Sequence, residues 1–169
     1  YTALANGAKA PVLMPRIEFG YLGSYNKNKR SPFETFYMGG DGMSSYSSYS
    51  TEYVSMRGYS SGSLTPYDPQ TGRNMGYLYN KFTLELRYPI TLEQNATIWV
   101  HGFLEAGNCF SDIKDYNPFN LKRSAGLGVR IFLPMFGLLG VDWGWGFDQI
   151  NGSDQYGKSQ FHFVLGQEL

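Results

Sequence analysis

The sequence predicts an all-β chain, and more narrowly a part of a transmembrane β-barrel built from about six antiparallel strands. Three observations carry that reading. Apolar and polar residues alternate with a period of two in several separate stretches. One face of these stretches is aliphatic or aromatic and carries Tyr88, Trp143, Trp145 and Phe161, the pattern of an aromatic girdle facing lipid. The opposite faces hold Arg87, Arg130, Glu85, Glu105, Asp142 and Asp148. These are too many charges for a packed apolar core, but a polar lumen tolerates them.

The first strand is expected near 12–25, where Ile17, Phe19 and Tyr21 alternate with Arg16, Glu18 and Gly20. Pro15 fits there only at a strand end or a bulge. Residues 31–75 break the pattern and read as one long loop. Its stretch from Gly39 to Ser50 is too rich in Gly and Ser for a membrane strand and has the composition of a disordered segment, whereas Val54-Ser55-Met56-Arg57-Gly58-Tyr59 is specific. The second strand, near 76–90, sets Phe82, Leu84, Leu86 and Tyr88 against Lys81, Thr83, Glu85 and Arg87. A third is expected near 96–108. The fourth, near 122–133, alternates through Leu127, Val129, Ile131 and Leu133. The fifth, near 138–149, places Leu139, Val141, Trp143, Trp145 and Phe147 on one face, and the last, near 158–169, does the same with Phe161, Phe163 and Leu165. Connections at 90–95 and 134–137 are short while 109–121 is longer, an alternation of short turns and longer surface loops. No amphipathic helical pattern is present.

Composition excludes several classes. Charged residues are only 17% of the chain, and 14 basic residues balance 14 acidic ones, so bulk charge points to no nucleic acid partner. The longest apolar runs, such as 131–136, fall far short of the ~18–20 residues of a membrane helix. The single Cys109 cannot form an internal disulfide. The residues from Tyr1 onward lack the basic and apolar regions of a signal peptide. Six strands do not close a barrel wide enough for this many lumenal charges, and lipid forbids an open sheet edge. Further strands are therefore expected, from residues preceding Tyr1 or from a partner.

A family resemblance becomes visible in the long loop. The run Phe33-Glu34-Thr35-Phe36-Tyr37-Met38-Gly39-Gly40, then Met56-Arg57-Gly58-Tyr59, then Ser63-Leu64-Thr65-Pro66, resembles the long barrel loop of BamA-type outer-membrane assembly factors. The segments Phe82–Tyr88, Gly102–Gly107, Ser124–Gly128 and Phe161–Gly166 resemble that family's closing strands, in the same order. Met56 stands where the family more often has Val, and Leu169 where it normally ends in an aromatic. The loop before the arginine is longer by the Ser/Tyr-rich insertion.

The resemblance implies that residues 1–169 are the C-terminal part of a 16-stranded barrel in the bacterial outer membrane, with periplasmic repeats and the first strands upstream. It implies that Arg57, with Gly58 and Tyr59 at the loop tip, enters the lumen and pairs with Glu85 and Glu105. It implies a weak seam whose last strand carries the C-terminal signal Phe161, Phe163, Gly166 and Leu169. The function implied is the folding and insertion of other β-barrel proteins by strand templating, with unfolded outer-membrane clients, accessory lipoprotein subunits and outer-membrane lipid as partners, and with no cofactor, metal or nucleotide. Within the same superfamily, a two-partner-secretion translocase is the rival reading. A passive pore and a soluble ligand-binding barrel are rivals from other classes.

Other residues suggest chemistry but fit it poorly. His101 and His162 lie on different strands without ligand spacing and read as polar lumen-lining residues. Asp142 and Asp148 are too far apart on one expected strand to act as an acidic pair. The glycines at 126, 128, 140, 144 and 146 lack the strand-to-helix context of a phosphate loop and read as sites that ease curvature or leave lumenal space. Cys109 has no activating neighbour. No enzyme is indicated.

Overall fold

A computed structural model of the chain describes residues 2–3, 9–23, 34–41, 51–69, 72–93, 95–150 and 154–166. Among these, every regular element but a single 3-10 turn at Ile113–Asp115 is a β-strand. Six long strands and one two-residue strand form an antiparallel sheet. In chain order they are β1 (Thr2–Ala3), β2 (Val12–Tyr21), β7 (Leu78–Leu92), β8 (Thr97–Phe110), β9 (Lys122–Leu133), β10 (Gly137–Gly146) and β11 (Ser159–Gly166). Spatial order follows chain order, so each strand pairs with the one before it, and the sheet is an up-and-down meander interrupted by the long connection between β2 and β7.

The two faces of this sheet differ as alternation demands. In β7, Phe82, Leu84, Leu86, Tyr88, Ile90 and Leu92 are exposed, while Lys81, Thr83 and Glu85 between them are buried. The same holds in β11, where Phe161, Phe163 and Leu165 are exposed and His162 is buried. An antiparallel sheet with apolar residues outward and charged residues inward is the arrangement of a membrane barrel wall, the reverse of a soluble sandwich.

Strand limits depart from the sequence expectation for identifiable reasons. β7 runs past residue 90 to Leu92 because a register shift between Pro89 and Thr91 absorbs the proline, which has no N–H for the ladder. β10 stops at Gly146, and Asp148, expected on the inner face of that strand, instead leaves it to bind Arg123 at the end of β9. Pro15 sits inside β2, paired with Leu84, and not at an end. Beyond Leu13, β2 has no partner on its other side among the described residues, so the missing N–H is tolerated at that edge. Gly137 (φ +82°) completes the tight turn that joins β9 to β10, where the Phe136 N–H donates to the Leu133 carbonyl.

The connection from 22 to 77 has structure of its own where it is described. β3 (Thr35–Met38) and β4 (Thr51–Val54) pair in parallel, and β5 (Tyr67–Asp68) and β6 (Arg73–Asn74) form a small hairpin. Phe36, Met38, Val54, Met56, Tyr59 and Leu64 pack with Tyr79 and Cys109 of the sheet into one apolar cluster. The Ser/Tyr-rich stretch 42–50, Asn151–Ser153 and Leu169 lie outside the described residues.

Candidate functional site

The site forms where the loop tip 56–60 lies down on the inner face of the sheet. Cross-strand register arranges that face in three adjacent rows. One contains Arg16, Thr83, Glu105, Ser124 and Gly146; the next Met14, Glu85, Phe103, Gly126, Gly144 and Gln160; the third Arg87, His101, Gly128, Asp142 and His162. On β10, Gly144 and Gly146 carry no side chain and leave a floor for the loop backbone, while the space at Gly126 is taken by the Phe103 ring. A Cβ on Gly144 would stand 2.7 Å from the Gly58 nitrogen, and one on Gly146 would stand 2.6 Å from the Gly58 oxygen. Gly58 itself has φ +87° and packs against the backbone of Trp145 and Gly146, so both its conformation and its space exclude a side chain.

Above the loop, β3 braces the tip. Met56 N–H donates to the Gly40 carbonyl at 3.0 Å, Gly40 N–H to the Tyr59 carbonyl at 2.9 Å, and Leu64 N–H to the Met38 carbonyl at 3.2 Å. Thr65 Oγ1 accepts from the Met38 N–H at 2.8 Å. Tyr59 is fully buried. Its hydroxyl donates to the Arg123 carbonyl at 2.8 Å and accepts from the Asp148 N–H at 3.2 Å, and burial raises its pKa.

Arg57 meets three carboxylates. Its Nε and one terminal nitrogen donate to Glu105 Oε1 at 3.0 and 2.7 Å, and its backbone N–H donates to Glu105 Oε2 at 2.9 Å. Glu105 thus holds the tip by both main chain and side chain. The other terminal nitrogen reaches Asp142 Oδ2 at 3.0 Å, and Glu85 Oε2 lies at 3.4 Å. The guanidinium also stacks 3.6 Å above the Phe103 ring, a cation–π contact in a place with little water. Burial works against the charge on Arg57, but Glu105, then Asp142 and Glu85, more than offset it and raise its pKa further above its already high value.

Each carboxylate has a second cation. Asp142 accepts from Arg130, with a bond of 2.6 Å from one terminal nitrogen and a shorter one from the other, and lies 3.1 Å from His101 Nε2. Lys81 Nζ is 3.4 Å from Glu105, and Arg87 Nε donates to Glu85 at 2.6 Å. Among the described residues, the buried formal charges are Arg57, Lys81 and Arg130 against Glu85, Glu105 and Asp142, three of each sign. These six buried charges sum to zero when both imidazoles are neutral, with Arg87 beside Glu85 lying nearer the solvent, and this is what makes their burial tolerable. Hydrogen bonding assigns the tautomers: His101 Nε2 carries the proton toward Asp142, and His162 Nε2 accepts from the Gly58 N–H at 3.0 Å. No group of three or more His, Cys, Asp or Glu among the described residues is disposed to hold a metal ion.

The structure therefore brings Arg57, Gly58, Tyr59, Glu85 and Glu105 into one place. Tyr88, Trp143 and Trp145 lie on the opposite, outward face, and Phe161 and Phe163 are also outward, on β11. Gly166 (φ +138°) is the last described residue of the β10–β11 pairing, and nothing lies within 4 Å of an added Cβ, so glycine is required there for conformation and not for room. Sequence reasoning missed Asp142 as a partner of Arg57, Phe103 as its stacking surface and His162 as the acceptor for Gly58. The alternation puts all three on the inner face, but only register puts them beside the tip. Cys109 belongs to the apolar cluster beneath the loop.

A seven-stranded meander with an apolar outer face, and an arginine-tipped loop folded onto its charged inner face, defines an outer-membrane barrel wall with an internal loop. The family model that describes the Omp85 superfamily domain matches residues 1–169, and the chain belongs to that superfamily, whose bacterial members reside in the outer membrane. Among curated proteins, the outer membrane protein assembly factor BamA of Nitratidesulfovibrio vulgaris is 29% identical over 136 residues, which is 80% of this chain and 15% of that protein. The chain thus spans about 15% of the length of the relative it matches.

Proposed function

We propose that these residues are the C-terminal part of a larger outer-membrane barrel that folds and inserts other β-barrel proteins, and that they contribute the seam strand and the loop that braces the wall beside it. The observation that carries the reading most is the condition of β11. Among the described residues it runs Ser159–Gly166, pairs with β10 on one side, and has no described strand on the other. In this reading, a last strand held weakly on its far side is a template on which a client adds its own strands by β-augmentation. The process needs no covalent chemistry, and the buried charges are all committed to one another and not to a substrate.

Unfolded barrel proteins are the clients in this reading, and accessory lipoproteins and outer-membrane lipid are its further partners. The likeness to a named assembly factor supports it over a secretion translocase. The apolar cluster of Phe36, Met38, Val54, Met56, Tyr59 and Leu64 that fills the space above the inner face supports it over a passive open pore. Depletion of the protein in cells, with complementation by wild type or by Arg57→Ala, tests the proposal. Depletion is expected to lower the folded, heat-modifiable fraction of several unrelated outer-membrane barrels, and Arg57→Ala to restore it only in part. Unchanged folding of all other barrels on depletion overturns the assembly function.

A further inference from the structure

Two side chains of β11 reach across the inner face to the loop tip. His162 Nε2 accepts the Gly58 N–H at 3.0 Å. Gln160, two residues earlier on the same face, has its carboxamide against Ser60. In the orientation that satisfies its neighbours, it accepts from Ser60 Oγ at 2.8 Å and Ser60 N at 3.3 Å, and donates to the Tyr59 carbonyl at 3.2 Å. Both residues stand in the rows that carry the tip, Gln160 beside Gly144 and His162 beside Asp142. The outward residues of β11, Phe161, Phe163 and Leu165, are all more than 60% exposed, and on that outer face Trp143 Nε1 donates to Ser159 Oγ at 2.6 Å. Beyond its ladder to β10 and that outer bond, β11 is fastened through its inner face.

The tip is in turn held by strands on the far side of β9. Glu85 of β7 and Glu105 of β8 bind Arg57, and the Arg57 backbone N–H is itself one of the bonds to Glu105. A connected path therefore runs from β7 and β8 through Arg57-Gly58-Tyr59-Ser60 to β11, bypassing the β9–β10 ladder. We propose that Gln160 and His162 are positioning residues that latch the terminal strand to the loop tip, so that seating of the tip and pairing of β11 with β10 stand or fall together. The inference deepens the proposed function and rests on it only in taking β11 as the seam strand: unseating the loop would loosen the edge offered to a client, and a strand pulled away from β10 would unseat the loop. His162 acts as a neutral acceptor here. Protonating it would remove the acceptor and set a second cation beside Arg57, among Asp41, Glu105 and Asp142, which also face it.

The test is amide hydrogen exchange in the full-length protein in lipid bilayers, read separately for 57–60, for 159–166 and for the β7–β8 ladder. Arg57→Ala deletes no atom of β11, yet it is expected to speed exchange of the paired β11 amides about tenfold or more beyond any change in the β7–β8 ladder. The double variant Gln160→Ala/His162→Ala is expected to speed exchange at 57–60 by a similar factor, and His162→Gln, whose side-chain oxygen can accept from Gly58, to recover part of the protection. Faster exchange at 57–60 in Arg57→Ala with wild-type exchange in β11 overturns the latch. Should Arg57→Ala fail to fold, unchanged exchange at 57–60 in the double variant overturns it equally. Client assembly is scored in the same preparations. Coupled exchange without assembly activity keeps the latch and removes the proposed function; assembly activity with uncoupled exchange does the reverse.

Discussion

Arg57 shows how a single residue can organise a wall. Its planar fork and its own backbone N–H engage Glu105 together, and the remaining donor reaches Asp142, so one side chain ties the loop to β8 and β10. Truncation to Ala would leave Glu105 and Asp142 short of a cation in a buried site. For well-buried pairs such a loss costs about 3–5 kcal/mol, and water entering the lumen lowers it. Arg57→Ala is expected to reduce the denaturant midpoint of the folded barrel, read by the heat-modifiable gel shift. Arg57→Lys is expected to recover only part of it, because an ammonium cannot reproduce the fork. A second pair, at the loop end, responds to pH. Hydrogen bonds from Arg123, at 2.7–3.0 Å, hold the Asp148 carboxyl below its usual range, against a smaller effect of burial. A depressed carboxyl pKa contributes stability that is present above the unfolded value and is lost as pH falls through the folded one. Exchange protection at residues 147–150 is therefore expected to hold from pH 7 to pH 5 and to decline below about pH 4. Asp148→Asn is expected to abolish that dependence.

At the scale of elements, the loop and β10 are fitted to each other through glycine. Val at position 144 suits a strand by its own propensity, so Gly144→Val leaves the β9–β10–β11 ladder without local conflict. Its Cβ, however, falls 2.7 Å from the Gly58 nitrogen, which is main chain and cannot swing aside. The expected result is expulsion of the tip: rapid exchange or proteolysis at 57–60 with the β9–β10 amides still protected. Gly72→Ala is the control. There φ is +69° but nothing lies within 4 Å of the added carbon, so the penalty is a backbone term of about 1–2 kcal/mol confined to the β5–β6 hairpin. A tip unaffected by Gly144→Val would mean that the loop does not seat on this floor.

For the molecule as a whole, the decisive property is which face meets lipid. Trp143 and Trp145 point outward at 39% and 47% exposure, whereas Trp99 faces inward, 5.9 Å from the Arg87 guanidinium. In single-tryptophan variants reconstituted with brominated acyl chains, emission from Trp143 and Trp145 is expected to be strongly quenched, and that from Trp99 only weakly. An aqueous quencher that reached Trp143 and Trp145 as readily as free tryptophan would instead mean a soluble sheet. The two longest described strands, β7 and β8, have 15 and 14 residues, more than the roughly 9–11 that cross a bilayer, so they continue beyond it and support the structured loop.

The sequence by itself determined the strands and their faces. Period-two alternation is a local property: a residue and its second neighbour must point the same way whatever lies beside them, so Leu84, Leu86 and Tyr88 are outward and Thr83 and Glu85 inward before any partner strand is known. It also marked Arg57-Gly58-Tyr59 as the specific part of a loop otherwise too rich in Gly and Ser to read. Only the tertiary structure decided which row each inner residue occupies. Register placed Asp142 and His162 beside the tip and carried Asp148 out of the lumenal set to Arg123, and the seating of the loop made Gly144 and Gly146 the floor under Gly58. The parallel β3–β4 pair that braces the tip joins segments separated by more than ten residues and carries no alternation long enough to announce itself. A face follows from the geometry of one strand. A row follows from how all the strands slide past one another, and that is set by turns, bulges and the packing of the loop against the wall.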